Sequence, residues 1–145
     1  MTISIDGVKI TLTPEQLTEI ARQTSKPKSY KDITSFEIAA EHLGVNFDTF
    51  FYNEATLTKS EIALRKLKLI VRAMRSFTNW EPDYKSYNQQ KWVPYFNGNG
   101  FSYCSTSYDD TITYVPSALY LESSEQAKFL GETFVYLFKD YLIED

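Results

Sequence analysis

Residues 58–77 read TKSEIALRKLKLIVRAMRSF, and this stretch carries the clearest helical pattern in the chain. Thr58 and Glu61 form a capping box, in which each side chain accepts a hydrogen bond from the backbone N–H of the other residue. Apolar residues then recur with the spacing of one helical face, at Ala63, Leu67, Ile70, Met74 and Phe77. The pattern predicts an amphipathic helix that ends near Arg75 or Ser76.

The opposite face of this predicted helix carries four cations, which we call the basic stripe: Arg65, Lys68, Arg72 and Arg75. Their spacing of three, four and three residues places them along one side of a helix. Such a stripe can contact phosphates, although solvated basic faces are also common on amphipathic helices. The chain as a whole carries a net charge of −4, which argues against a dedicated duplex-binding protein.

A β-hairpin and a short helix are predicted at the start of the chain. Alternating apolar residues flank Asp6-Gly7, a pair that suits the tight type I′ turn of a hairpin. Thr13 and Gln16 form a second capping box and predict the helix start. A basic polar linker follows, and we therefore treat residues 1–31 as an appendage to a single domain that covers residues 1–145.

Two further helices are predicted on either side of the central one. Thr34 is the predicted N-cap of the second helix, and Gly44 suits the left-handed position at its end. Ser123 and Gln126 predict the start of a long C-terminal helix. Gly131 lies inside that helix at a cost of about 1 kcal/mol relative to alanine, which predicts close packing against a sheet.

Residues 77–120 differ in composition from the rest of the chain. They hold 12 of the 23 aromatic residues, and between residues 86 and 121 the only charged residues are Lys91, Asp109 and Asp110. Turn signals divide this stretch into four predicted strands, at residues 91–96, 101–104, 111–115 and 118–121. The expected fold is α+β, with an N-terminal hairpin, three helices, a four-stranded antiparallel meander and a long C-terminal helix packed on one sheet face.

A sheet covered on one face exposes its other face, and here that face is rich in aromatic and small polar residues. Tyrosine and tryptophan are enriched in the cores of protein interfaces, where charge is depleted. We therefore expect a protein partner, or a second copy of the chain, to contact Trp80, Tyr84, Tyr87, Trp92, Tyr95, Tyr103 and Tyr108. Two other interpretations stay open: the rings fill a small core, or exposed rings and the basic stripe together bind single-stranded nucleic acid.

Catalytic and metal chemistry find little support in the residue pattern. Cys104 is the only cysteine, which excludes a disulfide within the chain and a metal cluster of several thiolates. His42 is the only histidine, so no additional histidine is available to build a Cys–His nucleophile. We expect His42 to be a solvated surface residue and Cys104 a small core residue. Asp109 and Asp110 are typical of a turn between strands. No enzyme activity, cofactor or metal is expected.

Five short motifs occur together in the region of residues 35–142: WEPD (80–83), KWVPYF (91–96), GF (100–101), LYLESSE (119–125) and KDYL (139–142). In combination they resemble small proteins encoded by Bacteroidota and by the phages and prophages of those bacteria. The present chain differs at Tyr84 and Tyr95, where the relatives commonly carry tryptophan, and at Tyr120, where they often carry a small residue. The resemblance implies a phage or mobile-element origin, and it assigns neither an activity nor any site residue.

The expected setting follows from this resemblance and from the N-terminal sequence. The first residues lack the basic and apolar regions of a signal peptide, and no apolar run approaches the length of a membrane span. We expect a protein of the host cytoplasm, with virion association as an alternative. The expected role is that of an accessory protein, either a minor virion component or an inhibitor of a host system.

Overall fold

The computed structural model describes residues 1–50, 54–98, 101–109 and 117–143, and its mixture of helices and antiparallel hairpins confirms the α+β class. The strands are β1 (Thr2–Ile5), β2 (Val8–Thr11), β3 (Lys91–Asn97) and β4 (Ser102–Asp109). The helices are α1 (Pro14–Thr24), α2 (Phe36–Leu43), α3 (Phe47–Phe50), α4 (Lys59–Ser76), α5 (Ser124–Thr133) and α6 (Val135–Leu142). Short 3₁₀ turns lie at Tyr30–Asp32, Glu54–Thr56 and Ser117–Leu119.

Helix α4 forms the centre of the core and follows the predicted pattern. The Thr58 hydroxyl accepts a hydrogen bond from the Glu61 N–H at 3.2 Å, and the Glu61 carboxylate accepts one from the Thr58 N–H at 2.7 Å. The predicted apolar face is buried at Ala63, Leu67, Ile70 and Met74. Helices α2 and α6 both pack against α4, which explains why it also buries Leu69, Val71 and Ala73 outside the predicted face.

The N-terminal hairpin and α1 form as predicted but bury none of their residues. Asp6 and Gly7 both adopt positive φ, 49° and 80°, as a type I′ turn requires. The capping box of Thr13 and Gln16 is present at the start of α1. The first buried residue of the chain is Ile33, so the hydrophobic core begins after these elements.

Helix α2 begins one residue later than predicted. Ser35 is its N-cap and accepts a hydrogen bond from the Ile38 N–H at 3.2 Å. The prediction of Thr34 is wrong because the Thr34 N–H is bonded to the Asp32 carbonyl at 3.0 Å, as part of the preceding turn. Gly44 ends the helix with φ 66°, in the predicted left-handed conformation.

The predicted four-stranded meander is replaced by a two-stranded sheet. Of the strands in the described part of the chain, β4 is the one that pairs with β3, in antiparallel register from Lys91 opposite Asp109 to Asn97 opposite Ser102. Strand β4 starts one residue later than the predicted strand 101–104 and continues five residues beyond it. The predicted strand 111–115 lies outside the described residues.

The predicted strand 118–121 is wrong as well, because this segment is mostly turn. A 3₁₀ turn occupies Ser117–Leu119, and only Leu121 pairs with β3, through two hydrogen bonds of 2.9 and 2.8 Å to Trp92. The carbonyls of Ala118 and Tyr120 instead accept hydrogen bonds from the Arg75 guanidinium. Carbonyl oxygens bound to α4 in this way are not directed at a neighbouring strand, so no ladder extends along the segment.

The C-terminal helix is divided in two rather than continuous. Phe134 separates α5 from α6 with φ −113° and ψ 25°, and its side chain is fully buried. Helix α5 packs against the β3–β4 hairpin, whereas α6 packs against α4. The break therefore lets two consecutive segments meet two different partners, which a single straight helix does not allow.

The predicted close approach at Gly131 is confirmed. A Cβ atom placed on Gly131 would lie 2.6 Å from the Tyr103 ring and 2.7 Å from the Cβ atom of Pro94. Both distances are shorter than real carbon contacts. Glycine at this position thus allows α5 to lie directly on the hairpin.

Candidate functional site

The seven aromatic residues predicted to bind a partner do not share one surface. Trp80, Tyr84 and Tyr87 lie in the connection between α4 and β3, and the other four lie on the β3–β4 hairpin. Side chains alternate between the two faces of a strand. The hairpin residues are therefore divided between the face that packs on α5 and the opposite face.

The face toward α5 carries Trp92, Tyr103 and Tyr108. Trp92 and Tyr108 are directly opposite in the register, and their ring centroids are 4.9 Å apart. Tyr103 lies against Gly131 and is half-buried, as is Trp92, which packs on the core. Tyr108 keeps 47% of its surface exposed. This face therefore belongs partly to the core, with Tyr108 at its exposed margin.

The hairpin also lines an apolar cavity of about 590 Å³, which we call the hairpin groove, with Val93 and Tyr95 from the opposite face and with Pro94 and Phe96. The rest of its lining includes residues from the connection between β3 and β4, the 3₁₀ turn Ser117–Leu119 and α6: Phe101, Leu119, Phe138 and Leu142. Tyr95 is 46% exposed beside it. Of these lining residues, Tyr95 is the one that was predicted to contact a partner, because Phe138 and Leu142 lie in a predicted helix whose apolar residues were expected to be core.

The polar end of the hairpin groove is formed by Asp109 and Tyr120. The Tyr120 hydroxyl donates a hydrogen bond to the Asp109 carboxylate at 3.1 Å, and the rest of the tyrosine is buried. Asp109 is the last residue of β4, and the predicted turn with Asp110 lies outside the described residues. The carboxylate thus has a structural partner and also faces the groove.

The basic stripe lies along a shallow cleft of about 630 Å³, which we call the basic cleft. Arg65, Lys68 and Arg72 are exposed on α4. The cleft also includes residues from three other parts of the chain: Thr49, Phe50, Tyr84 and Ala118. Tyr84 is 50% exposed. The structure therefore brings the four predicted cations together with one of the predicted aromatic residues.

Arg75 differs from the other three cations because it is buried. Its Nε donates to the Tyr120 carbonyl at 2.7 Å, and its Nη2 donates to the carbonyls of Ala118 (3.2 Å) and Tyr120. Nη1 lies 3.8 Å from the exposed Glu81 carboxylate, and the guanidinium lies over the Trp80 ring at 5.5 Å. Burial lowers the pKa of Arg75, yet arginine stays protonated in proteins. Its role is to join α4 to the segment 118–120.

His42 is half-buried rather than a solvated surface residue. Its Nε2 lies 2.9 Å from the Ser76 hydroxyl, and its ring stacks on Phe77 at 4.7 Å. The Ser76 hydroxyl donates to the Ala73 carbonyl at 2.7 Å, so it accepts the hydrogen bond from Nε2. Because the serine proton points to a backbone carbonyl, this pair joins α2 to α4 and is not arranged as a nucleophile with its base.

The remaining candidate residues, Cys104 and Asp83, do not contribute to a shared site. Cys104 is exposed on β4, so the expectation of a core cysteine is wrong. Asp83 accepts a hydrogen bond from the Lys85 N–H at 2.9 Å, within its own turn. Across residues 1–50, 54–98, 101–109 and 117–143, no group of three or more His, Cys, Asp or Glu side chains is placed to hold a metal ion.

No family model, curated protein or solved structure matches the chain. Of the helices in the described residues, none combines the length and the apolar character that crossing a bilayer requires. The functional interpretation consequently depends on the geometry of the hairpin groove and the basic cleft.

Proposed function

We propose that this chain is a non-enzymatic protein-binding module whose hairpin groove receives apolar side chains of a partner protein. The observation that carries the proposal is an apolar cavity of about 590 Å³ that opens beside the half-exposed Tyr95. Binding hot spots are typically aromatic anchors that fill well-packed pockets on the partner. The groove offers such a pocket, and Tyr95 offers a ring at its edge.

The surroundings of the groove support a protein partner. Tyr95 and Tyr108 expose 46% and 47% of their surface on a hairpin whose only charged residues, Lys91 and Asp109, lie at one end. Serine and threonine occupy much of β4, and such side chains supply adaptable hydrogen bonds in binding surfaces. A charge-poor surface rich in tyrosine and serine loses little hydration when another protein covers it.

The proposal assigns the chain no catalytic step. The His42–Ser76 pair holds two helices together, and the Asp109 carboxylate is bonded to the Tyr120 hydroxyl. Both groups therefore have structural partners. We further propose, from the motif resemblance alone, that the module acts in a phage or prophage setting, as a minor virion component or as an inhibitor of a host system.

Site-specific photo-crosslinking in host cells tests this function. A photo-reactive amino acid replaces Tyr95 at the groove, and in a control it replaces Tyr136, which is 53% exposed on α6 and does not line the groove. A protein captured at position 95 and not at position 136 is then purified. Tyr95→Ala is expected to weaken its binding about thirtyfold, the effect of a 2 kcal/mol hot spot.

Two results would count against the proposal. Capture of the same proteins at both positions would indicate nonspecific contact, and an unchanged affinity of Tyr95→Ala would remove the ring from the interface. If the captured protein is a second copy of the chain, the module is a homo-oligomer. Light scattering over a range of concentrations would then show an association that Tyr95→Ala weakens.

A further inference from the structure

The basic cleft shares no lining residue with the hairpin groove, and its exposed cations lack a salt bridge within the described residues. In the described residues, no carboxylate lies within ion-pair distance of Lys68 or Arg72. Hydrogen bonds from Thr58 in the helix cap lower the pKa of the Glu61 carboxyl, with a smaller contribution from the nearby Arg65. The three exposed cations of the cleft, Arg65, Lys68 and Arg72, are thus available to an anionic ligand.

Arg75 shapes this cleft without being free to contact a ligand. Its guanidinium is bound to the carbonyls of Ala118 and Tyr120, and only 10% of its side chain is exposed. The predicted four-residue contact surface is therefore reduced to Arg65, Lys68 and Arg72. Arg75 serves as a positioning residue because it holds Ala118, at the margin of the cleft, against α4.

We infer that the basic cleft binds single-stranded nucleic acid, with phosphates on Arg65, Lys68 and Arg72 and an unpaired base stacked on Tyr84. Guanidinium groups bind phosphate oxygens through two parallel hydrogen bonds. Aromatic rings beside a cationic groove are the usual platform for unpaired bases. An acidic peptide would use the cations but offer no base to the ring.

The walls of the cleft favour a single strand over a duplex. Thr49 and Phe50 of α3 and Tyr84 line the cleft beside the cations of α4. Stacking on an aromatic ring requires a base whose ring face is free, as in a single strand. The bases of a duplex are stacked on one another, so a duplex offers phosphates to the cations but no free base to Tyr84.

The length of the cleft sets the expected size of the site and its salt dependence. Arg65 and Arg72 are separated by about 10 Å along the helix axis, at 1.5 Å per residue. This distance spans about three nucleotides, and three phosphate contacts give a salt slope of about −2 for a single strand. The nearby acids Glu61, Glu81 and Asp83 reduce the local positive potential. Binding is therefore expected to be weak and strongly salt-sensitive.

Fluorescence anisotropy with a labelled 20-nucleotide oligo-dT tests the inference on the full chain. Between 50 and 200 mM salt, the affinity is expected to fall about fifteen- to twentyfold, as a slope of about −2 predicts. The double variant Lys68→Gln/Arg72→Gln is expected to reduce the slope to about −0.7, since one phosphate contact remains. The control Lys128→Gln/Lys139→Gln makes the same charge change outside the cleft and should leave the slope unchanged.

The stacking component has its own matched pair of variants. Tyr84→Ala is expected to weaken oligo-dT binding at least about fivefold. Tyr87→Ala is the control, because Tyr87 is 74% exposed three residues away and does not line the cleft. Thermal unfolding of each variant confirms that the fold is retained.

Four outcomes would overturn the inference. The first is the absence of any anisotropy change at 50 mM salt, and the second is an equal loss of oligo-dT affinity in the two charge variants. The third is duplex binding as tight as single-strand binding, with no effect of Tyr84→Ala. The fourth is displacement of oligo-dT by poly-glutamate at equal charge. The last outcome would assign the cleft to an acidic protein segment. None of them bears on the hairpin groove, which contains none of these residues.

Discussion

At position 131, the space between α5 and the hairpin admits a hydrogen atom and nothing larger. The Tyr103 ring and Pro94 lie on either side of the place where a Cβ atom would be. Proline adds to this close fit, since its ring is rigid and it needs no hydrogen-bond partner for a backbone N–H. One glycine in α5 and one proline in β3 therefore set the distance between helix and sheet.

The variant Gly131→Ala tests this fit. Overpacking of a core costs about 1–3 kcal/mol, and alanine recovers up to about 1 kcal/mol of helix propensity. We expect a net loss of about 1–2 kcal/mol in the free energy of unfolding, measured by urea denaturation. Gly98→Ala is the control, because a Cβ atom there meets no other atom within 4 Å. Gly131→Ala as stable as the parent would contradict the close packing.

Among the elements, α2 shows how a helix start is chosen between two adjacent candidates. Thr34 and Ser35 both have a hydroxyl that can cap, and each is followed by suitable helical residues. Ser35 has the extended backbone that an N-cap needs, with φ −148° and ψ 163°. Thr34 is held in the preceding turn, so the end of that turn determines where the helix begins.

Alanine substitutions at the two positions separate these roles. Ser35→Ala is expected to lower the free energy of unfolding by about 1 kcal/mol, because it removes the acceptor for the Ile38 N–H. Thr34→Ala is expected to change it by less than about 0.5 kcal/mol. Chemical denaturation of both variants gives the comparison. A larger loss for Thr34→Ala would restore the cap that the sequence pattern predicted.

The sequence predicted those elements whose signals are local. Capping boxes, the Asp6-Gly7 turn and the apolar face of α4 each depend on residues within a few positions of one another. The meander and the continuous C-terminal helix were wrong because they depend on distant residues. Arg75 binds carbonyls more than 40 residues away, and the break at Phe134 follows from packing against two different elements. The two binding surfaces likewise combine distant segments, so residue patterns predicted some of their members and not their grouping.

For the whole molecule, burial is distributed unevenly along the chain. Residues 1–32 bury no side chain, whereas Ile33 is fully buried and belongs to the core. An isolated two-stranded hairpin contributes little stability by itself. Tyr30 already packs against the core and contacts the Phe129 ring, so the part of the chain without core contacts ends before the turn Tyr30–Asp32.

A truncated chain and a single substitution should therefore differ widely in how much stability they lose. Deletion of residues 1–24 is expected to change the free energy of unfolding by less than about 1 kcal/mol, because apolar burial is the main source of stability. Ile33→Ala in the full chain is expected to cost about 2–5 kcal/mol. Urea titrations of the two proteins provide the measurement. A deletion more damaging than the substitution would make the N-terminal elements part of the cooperative unit.

The contact between Arg75 and the segment 118–120 has a consequence for the order of folding. It closes a loop of more than 40 residues, and such distant contacts form after the local ones. If the Arg75 guanidinium were buried before these carbonyl acceptors were in place, it would lose its hydrogen bonds to water and gain none from the protein. We therefore expect the last turn of α4 to become stable only when the hairpin docks. In pulsed hydrogen exchange, the Trp92 and Leu121 amides should gain protection in the same kinetic phase as that turn, and earlier protection of the turn would argue against this late step.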